Sequence, residues 1–223
     1  MNVFQKLLII VLGITFFSQA QAGVVIGGTR VIYDGNKKES SLSLSNPDKS
    51  PYLIQSWVAG QEGDSGKVPF IITPPIFRLD GGQDNILRVM RAGGNLPEDK
   101  ESLYWLNIKS IPSAEKKNNT LQIAVKTSIK LIYRPGGVQG KLDDAAKNLK
   151  WQRSGNQLRV SNDSPFYITF FNVKLNGVAL KDTTMVAPRS SANFSLPAGR
   201  GGALTWQIIN DFGGASKVFN AAL

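Results

Sequence analysis

An all-β chain built as two sandwiches is the fold class this sequence predicts, and three observations predict it. Short segments rich in Val, Ile, Thr and aromatic residues recur between turn residues along the chain of 223 residues. No long stretch carries the apolar period of an amphipathic helix. One seam rich in Pro and Gly, Pro135-Gly136-Gly137-Val138-Gln139-Gly140, interrupts the pattern, and strands resume beyond it.

The first segment reads as an address. Lys6 ends a short positive region, residues 7–17 are apolar, and Ala20 and Ala22 supply small residues at cleavage-site spacing. That run is short of the roughly 20 apolar residues a spanning helix needs. The expected division is therefore 1–22 as a cleaved signal peptide, 23–138 as a first sandwich and 139–223 as a second. The expected place of work is outside the cytoplasm, with no membrane insertion. The two halves suggest related folds, with no sequence repeat between them.

Residues 24–33 form a first strand region, interrupted by Gly27-Gly28, and Asp34-Gly35-Asn36 is a turn. Ser41-Leu42-Ser43-Leu44-Ser45 alternates as a half-buried strand does. Strands are expected at 52–58 and 70–72, the second stopped by Thr73-Pro74-Pro75 because proline donates nothing to a ladder. Residues 86–90 and 103–111 follow, and 121–133 is the longest candidate. Past the seam, 143–147 makes one helical turn, and strands are expected at 149–151, 157–161, 167–173, 192–196 and 204–209.

Composition narrows the chemistry. With no cysteine and no histidine, disulfides, thiolate nucleophiles, imidazole ligands and the Ser-His-Asp triad are all excluded. No carboxylate cluster stands out as a metal site, and no cofactor motif is present; Gly199-Arg200-Gly201-Gly202 is a loop between strands, and Asp143-Asp144 a solvated or capping pair. Asn118, Asn162 and Asn193 open sequon matches that carry little weight. The net charge is +10, but the cations are scattered, so a nucleic-acid partner is not expected and attraction to acidic partners is.

The thirteen residues of 121–133 exceed the roughly 3–10 of ordinary strands, so this one projects past its sheet or bends at a bulge. Leu121, Ile123 and Val125 share one face, either as core or as side chains offered to another chain. Arg30 and Lys130 either point to water or converge on one anion, Arg by a bidentate grip and Lys as a point charge. Lys130 is out of phase with Leu121, Ile123 and Val125, so meeting one ligand together calls for a twist or bulge between them.

Several segments carry a family resemblance. They are Thr29-Arg30-Val31-Ile32-Tyr33, Tyr52-Leu53-Ile54-Gln55-Ser56-Trp57, Phe70-Ile71-Ile72-Thr73-Pro74-Pro75-Ile76-Phe77-Arg78-Leu79, Ile129-Lys130-Leu131-Ile132-Tyr133-Arg134-Pro135 and Ile209-Asn210-Asp211-Phe212-Gly213. The most specific piece is Leu96-Pro97-Glu98-Asp99-Lys100-Glu101-Ser102-Leu103-Tyr104-Trp105-Leu106-Asn107, where Tyr104 stands for the usual Phe. Over nearly the whole chain past the leader, the sequence resembles the periplasmic pilus chaperones of the chaperone–usher pathway. The likeness is nearest to the chaperones of type 1 pili, on the branch with a short loop, here 113–120, before the donor strand.

The resemblance implies two immunoglobulin-like β-sandwiches in an L or boomerang, and a binding protein that is not an enzyme. Its partners would be pilus subunits, tip adhesin included, and the outer-membrane usher, with self-association as one state of the free chain. It implies donor-strand complementation, a known case of strand addition, with Leu121, Ile123 and Val125 filling the subunit's open groove. Arg30 and Lys130 match the pair that anchors the subunit's C-terminal carboxylate, and Glu101, Arg134 and Asp211 match a charged interdomain cluster. Two other classes stay open on residues alone: a secreted surface module such as a pilus subunit, and a secreted enzyme using Ser and Lys.

Overall fold

The computed structural model describes residues 23–61, 67–113, 121–196 and 201–223. The leader, loop positions 114–120 with the Asn118 sequon, and Gly199-Arg200 lie outside the described residues. The chain folds as two immunoglobulin-like sandwiches with separate cores.

In the first sandwich the strands are β1 (Val25–Ile26), β2 (Arg30–Asp34), β3 (Glu39–Ser45), β4 (Tyr52–Ala59), β5 (Phe70–Thr73), β6 (Ile76–Leu79), β7 (Asp84–Arg91), β8 (Ser102–Pro112) and β9 (Val125–Arg134). One sheet runs β1-β3-β7-β5 and the other β2-β9-β8-β4-β6. All pairs are antiparallel except β2 with β9. The region 24–33 is therefore two strands in two sheets. Gly27-Gly28 is the crossing, and a Cβ at Gly27 would sit 1.9 Å from Ser43 Oγ. The stop at Thr73-Pro74-Pro75 is likewise a change of sheet: the Thr73–Pro74 bond is cis, and the sequence reading missed β6 just beyond it.

Alternation builds the core. Leu42 and Leu44 of β3 point inward between exposed serines. Ile129, Leu131 and Tyr133 of β9 join the same core. Phe70 packs edge-on against Tyr33 and Tyr104, with Tyr133 tilted beside them.

The second sandwich holds α1 (Leu142–Lys147) and then β10 (Lys150–Ser154), β11 (Gln157–Asn162), β12 (Ile168–Leu175), β13 (Val178–Ala179), β14 (Met185–Val186), β15 (Ser190–Ser195), β16 (Ala203–Ile208) and β17 (Phe219–Ala222). Its sheets are β10-β11-β15 and β13-β12-β16-β17, with β14 also on β12. Trp206, buried among Trp151, Phe170, Phe194 and Phe219, donates from Nε1 to the Ala146 carbonyl and ties α1 to the core.

Without any sequence repeat, the two sandwiches still share one turn device. Asn46 and Asn162 are both fully buried, and each Nδ2 donates to two backbone carbonyls. Each Oδ1 accepts the N–H two residues on, at Asp48 and at Ser164. The nearer accepting carbonyl is four residues on in both, at Ser50 and at Phe166, so Ser45-Asn46 corresponds to Ser161-Asn162. The likeness is confined to the turn, because only the turn needs that side chain.

The strand expected over 121–133 is shorter than its apolar stretch. Its ladder with β8 runs from Ser110↔Val125 to Ser102↔Tyr133. The next partners would be Ile111 and Pro112, and proline has no N–H to give. Residues 121–124 therefore precede the strand instead of belonging to it. The ladder is unbroken, so no bulge separates Val125 from Lys130; of the two expected alternatives, the apolar stretch projects past its sheet.

Candidate functional site

Strand β9 organises the site. Its inward line of Ile129, Leu131 and Tyr133 continues, in phase, to Val125, Ile123 and Leu121, which leave the core and enter solvent. Those three side chains are 54%, 67% and 83% exposed. Ile123 and Val125 also line a cleft of about 240 Å³ at this end of the sandwich, beside Val24, Ile26 and Tyr52. A solvated apolar row in line with a core is a costly surface for a monomer and a ready one for a partner.

The edge of β9 is equally asymmetric. On one side it pairs with β8 throughout. On the other, β2 pairs with it in parallel only from Arg30↔Lys130 onward. Among the described residues, Val125–Ile129 therefore has no neighbour on that side, which leaves backbone donors and acceptors for about 17 Å of added strand.

Arg30 and Lys130 stand at the point where this free edge stops. Tyr33 and Val31 face the core, so Arg30 lies on the opposite face of β2, as Lys130 does on β9. Arg30 is 9% exposed; its Nη1 donates to the Ile209 carbonyl at 3.2 Å, and its Nε is buried without a hydrogen bond. Lys130 Nζ sits 5.4 Å above the Trp105 ring. Burial pushes both groups below their ordinary pKa values. Arg30 lowers Lys130 further, while Asp211 and Glu101 partly offset the effect on Arg30. Among the described residues neither cation has an ion-pair partner. Two half-desolvated like charges side by side repel each other, and an anion between them would relieve both.

Glu101, Arg134 and Asp211 are brought together across the seam between the sandwiches. Arg134 Nε donates to Glu101 Oε1 at 2.7 Å, and its Nη1 and Nη2 grip Asp211 at 2.7 and 2.9 Å. Glu101 Oε2 accepts the Tyr167 N–H at 2.7 Å, and Arg134 also lies over the Phe166 ring. Burial pushes Arg134 down, but Asp211 and Glu101 outweigh it and leave the guanidinium above its usual range. Burial raises the Glu101 carboxyl, and Arg134 and the Tyr167 N–H pull it back only in part.

Sequence reasoning missed several neighbours. Trp105 beneath Lys130 and Trp57 beneath Lys126 are visible only once β4, β8 and β9 are in register. Asp99 accepts from Arg189 across the seam, a pair ninety positions apart that no local signal marks. Phe212, 96% exposed beside Asp211, is a further solvent-facing aromatic on the same loop.

Comparison with known proteins agrees with this geometry. The profile described as "Pili and flagellar-assembly chaperone, PapD N-terminal domain" matches residues 23–139, and "Pili assembly chaperone PapD, C-terminal domain" matches 144–219. The probable fimbrial chaperone LpfB of Escherichia coli O157:H7 is 46% identical over 211 residues, covering 91% of this chain and 90% of its own. The chaperone FimC of E. coli K12 is 41% identical over 201 residues, 87% of this chain and 82% of its own. Among solved structures, the E. coli chaperone DraB superposes with a TM-score of 0.82 at 41% identity over 90% of this chain and 96% of its own. The SafB chaperone of Salmonella enterica, solved with the SafA pilin, gives 0.85 at 36% identity over 92% and 99%. With both of its sandwiches matched and its free strand edge intact, the chain belongs to the pilus-assembly chaperone family.

Proposed function

We propose that this chaperone works in the periplasm, after cleavage before Gly23, by lending β9 and the residues before it to a pilus subunit. The observation that carries the reading is the register of Arg30 with Lys130 where the free edge ends. A chain added to Val125–Ile129 runs into the start of β2 and must stop there. A C-terminal carboxylate ends a chain, and the two unpaired cations wait at that stop. The added strand then runs parallel to β9, with its body toward Leu121. Backbone pairing tolerates many sequences, while Leu121, Ile123 and Val125 enter the subunit's open groove, each worth about 1.5–3 kcal/mol when fully buried.

One ligand can meet both features without a twist or bulge. A strand lying in the plane of the sheet touches the odd-numbered row on one face and Lys130 on the other. The Glu101–Arg134–Asp211 cluster is read as the latch that holds the two sandwiches, divided at residue 138, in one orientation. The action is binding alone, without a chemical step, and it ends with delivery to the outer-membrane usher. SafB is seen with a pilin, which favours this role over that of a surface module.

The test is coexpression of subunits with the full chain or its Lys130→Ala variant. One-to-one complexes with the wild type and free, degraded subunits with the variant support the proposal. Equal recovery with both removes Lys130 from the anchor. Recovery with neither removes the chaperone reading.

A further inference from the structure

The start of the first sandwich carries a contact that strand lending does not use. Strand β1 pairs with β3 at Val25↔Ser45 and Ile26↔Leu44, and the Gly27 N–H then donates to the Ser43 carbonyl at 2.9 Å. Just before β1, the Gly23 nitrogen donates to Asp48 Oδ2 at 2.9 Å, and the Tyr52 hydroxyl donates to the same oxygen at 2.7 Å. Asp48 is fixed from its backbone as well, where its N–H donates to Oδ1 of the buried Asn46. Tyr52 and the Gly23 N–H hold the Asp48 carboxyl below the usual carboxylate range. The group is therefore an anion at neutral pH, yet among the described residues no lysine or arginine pairs with it. Gly23 and Tyr52 also line the cleft of about 240 Å³ shared by Ile123 and Val125, with Val24 and Ile26 beside them.

We propose that Asp48 and Tyr52 form the seat for the chain's own new amino terminus, so that removing the leader finishes the wall of the cleft beside the donor row. This rests on cleavage before Gly23, as read above. Hydrolysis of the Ala22–Gly23 bond by water leaves a carboxylate on Ala22 and an α-ammonium on Gly23. One neutral N–H thereby becomes three donors with a full charge. The nitrogen already lies at hydrogen-bond distance from the carboxylate, so the ion pair forms without moving either group. Charge-assisted bonds are shorter and stronger than neutral ones. Chain ends fray unless they are tied down, and β1 has few backbone bonds of its own. With its end seated, Val24 and Ile26 keep their places along the cleft. A strand added along Val125–Ile129 sets the side chains on its Val125 face beside that cleft.

Mass spectrometry of the secreted protein first establishes where it starts. Four chains are then compared: one starting at Gly23 and one with Ser-Ala added before it, each with Asp48 and with Asp48→Asn. The extension keeps the Gly23 N–H but moves the charge away, and Asn keeps an acceptor without the charge. Exchange of the Gly27 amide is measured on all four. So is binding, by calorimetry, of a ten-residue peptide of alternating Val and Ser with a free C-terminal carboxylate. With Asp48, the extension should speed Gly27 exchange and weaken binding, each by up to about fivefold, as one partly exposed ion pair allows. With Asp48→Asn the two starts should behave alike. Tyr52→Phe keeps the carboxylate and should retain the difference between starts. An extension effect of equal size in Asp48→Asn overturns the proposal, because bulk at the terminus then accounts for it. No difference between the starts also overturns it. A difference in exchange without one in binding overturns the link to the cleft. A secreted protein that starts elsewhere overturns the cleavage reading and this inference with it. A start at Gly23 with no Asp48-dependent effect overturns this inference alone.

Discussion

Arg30 and Lys130 stand directly opposite each other on parallel strands, and among the described residues no carboxylate forms an ion pair with either one. Their mutual repulsion is a cost the free fold carries. A guest carboxylate would relieve it, so truncating either cation should separate stability from binding. Lys130→Ala should leave the unfolding midpoint unchanged or slightly higher. It should weaken subunit binding by about 10- to 100-fold, the worth of one charge-assisted hydrogen bond. Denaturant titration and calorimetry on the same preparations check both halves.

The lowered Lys130 pKa gives a pH dependence with a definite sign. In the free fold Lys130 binds its proton less tightly than in the unfolded chain. Between the two pKa values the unfolded state therefore holds more protons, and Lys130 makes stability rise with pH. Binding moves the other way, because a carboxylate favours the charged amine. Affinity for a carboxylate-terminated strand should fall as pH rises through the free protein's Lys130 pKa, which lies below the ordinary lysine range. Binding there should take up protons, which calorimetry in buffers of different ionisation enthalpy reads directly.

Removing Arg134 should be far more harmful than its surface position suggests. The Glu101 side chain is 1% exposed and would be left buried without its cation. Such a loss costs about 3–5 kcal/mol. Asp211→Ala should cost less, since Asp211 is partly solvated and Arg134 keeps Glu101. Chemical denaturation gives the magnitudes. Small-angle scattering of each variant tests whether the angle between the sandwiches loosens with them.

Replacing Leu121 or Ile123 by Asn should leave the free chain's stability within about 0.5 kcal/mol, because these side chains already face solvent. Each change should still weaken subunit capture, by up to about 1.5–3 kcal/mol for a fully buried side chain. A drop in the unfolding midpoint matching the loss in binding would show that the row belongs to the chaperone's own core.

Much of this was legible because alternation is local. Ser41-Leu42-Ser43-Leu44-Ser45 declares its buried face, and the in-phase row at Leu121, Ile123 and Val125 is visible in the same way. The Asn176-Gly177 pair, at φ 50° and 81°, marks the β12–β13 hairpin and was readable but passed over. The end of β9's ladder was not readable from β9, because it depends on Pro112 in the neighbouring strand. Nor was the convergence of Arg30 with Lys130, or of Arg134 with Asp211, since both depend on which distant strands and loops meet. There the family resemblance supplied what spacing could not.

Amide hydrogen exchange on the free chaperone and on its one-to-one subunit complex tests the central claim most directly. Strand lending predicts that amides on the free edge of Val125–Ile129, together with residues 121–124, exchange quickly in the free chain. In the complex they should slow by orders of magnitude, with alternate positions protected along the strand. Protection confined to other surfaces, with 121–129 exchanging as fast as before, would contradict it.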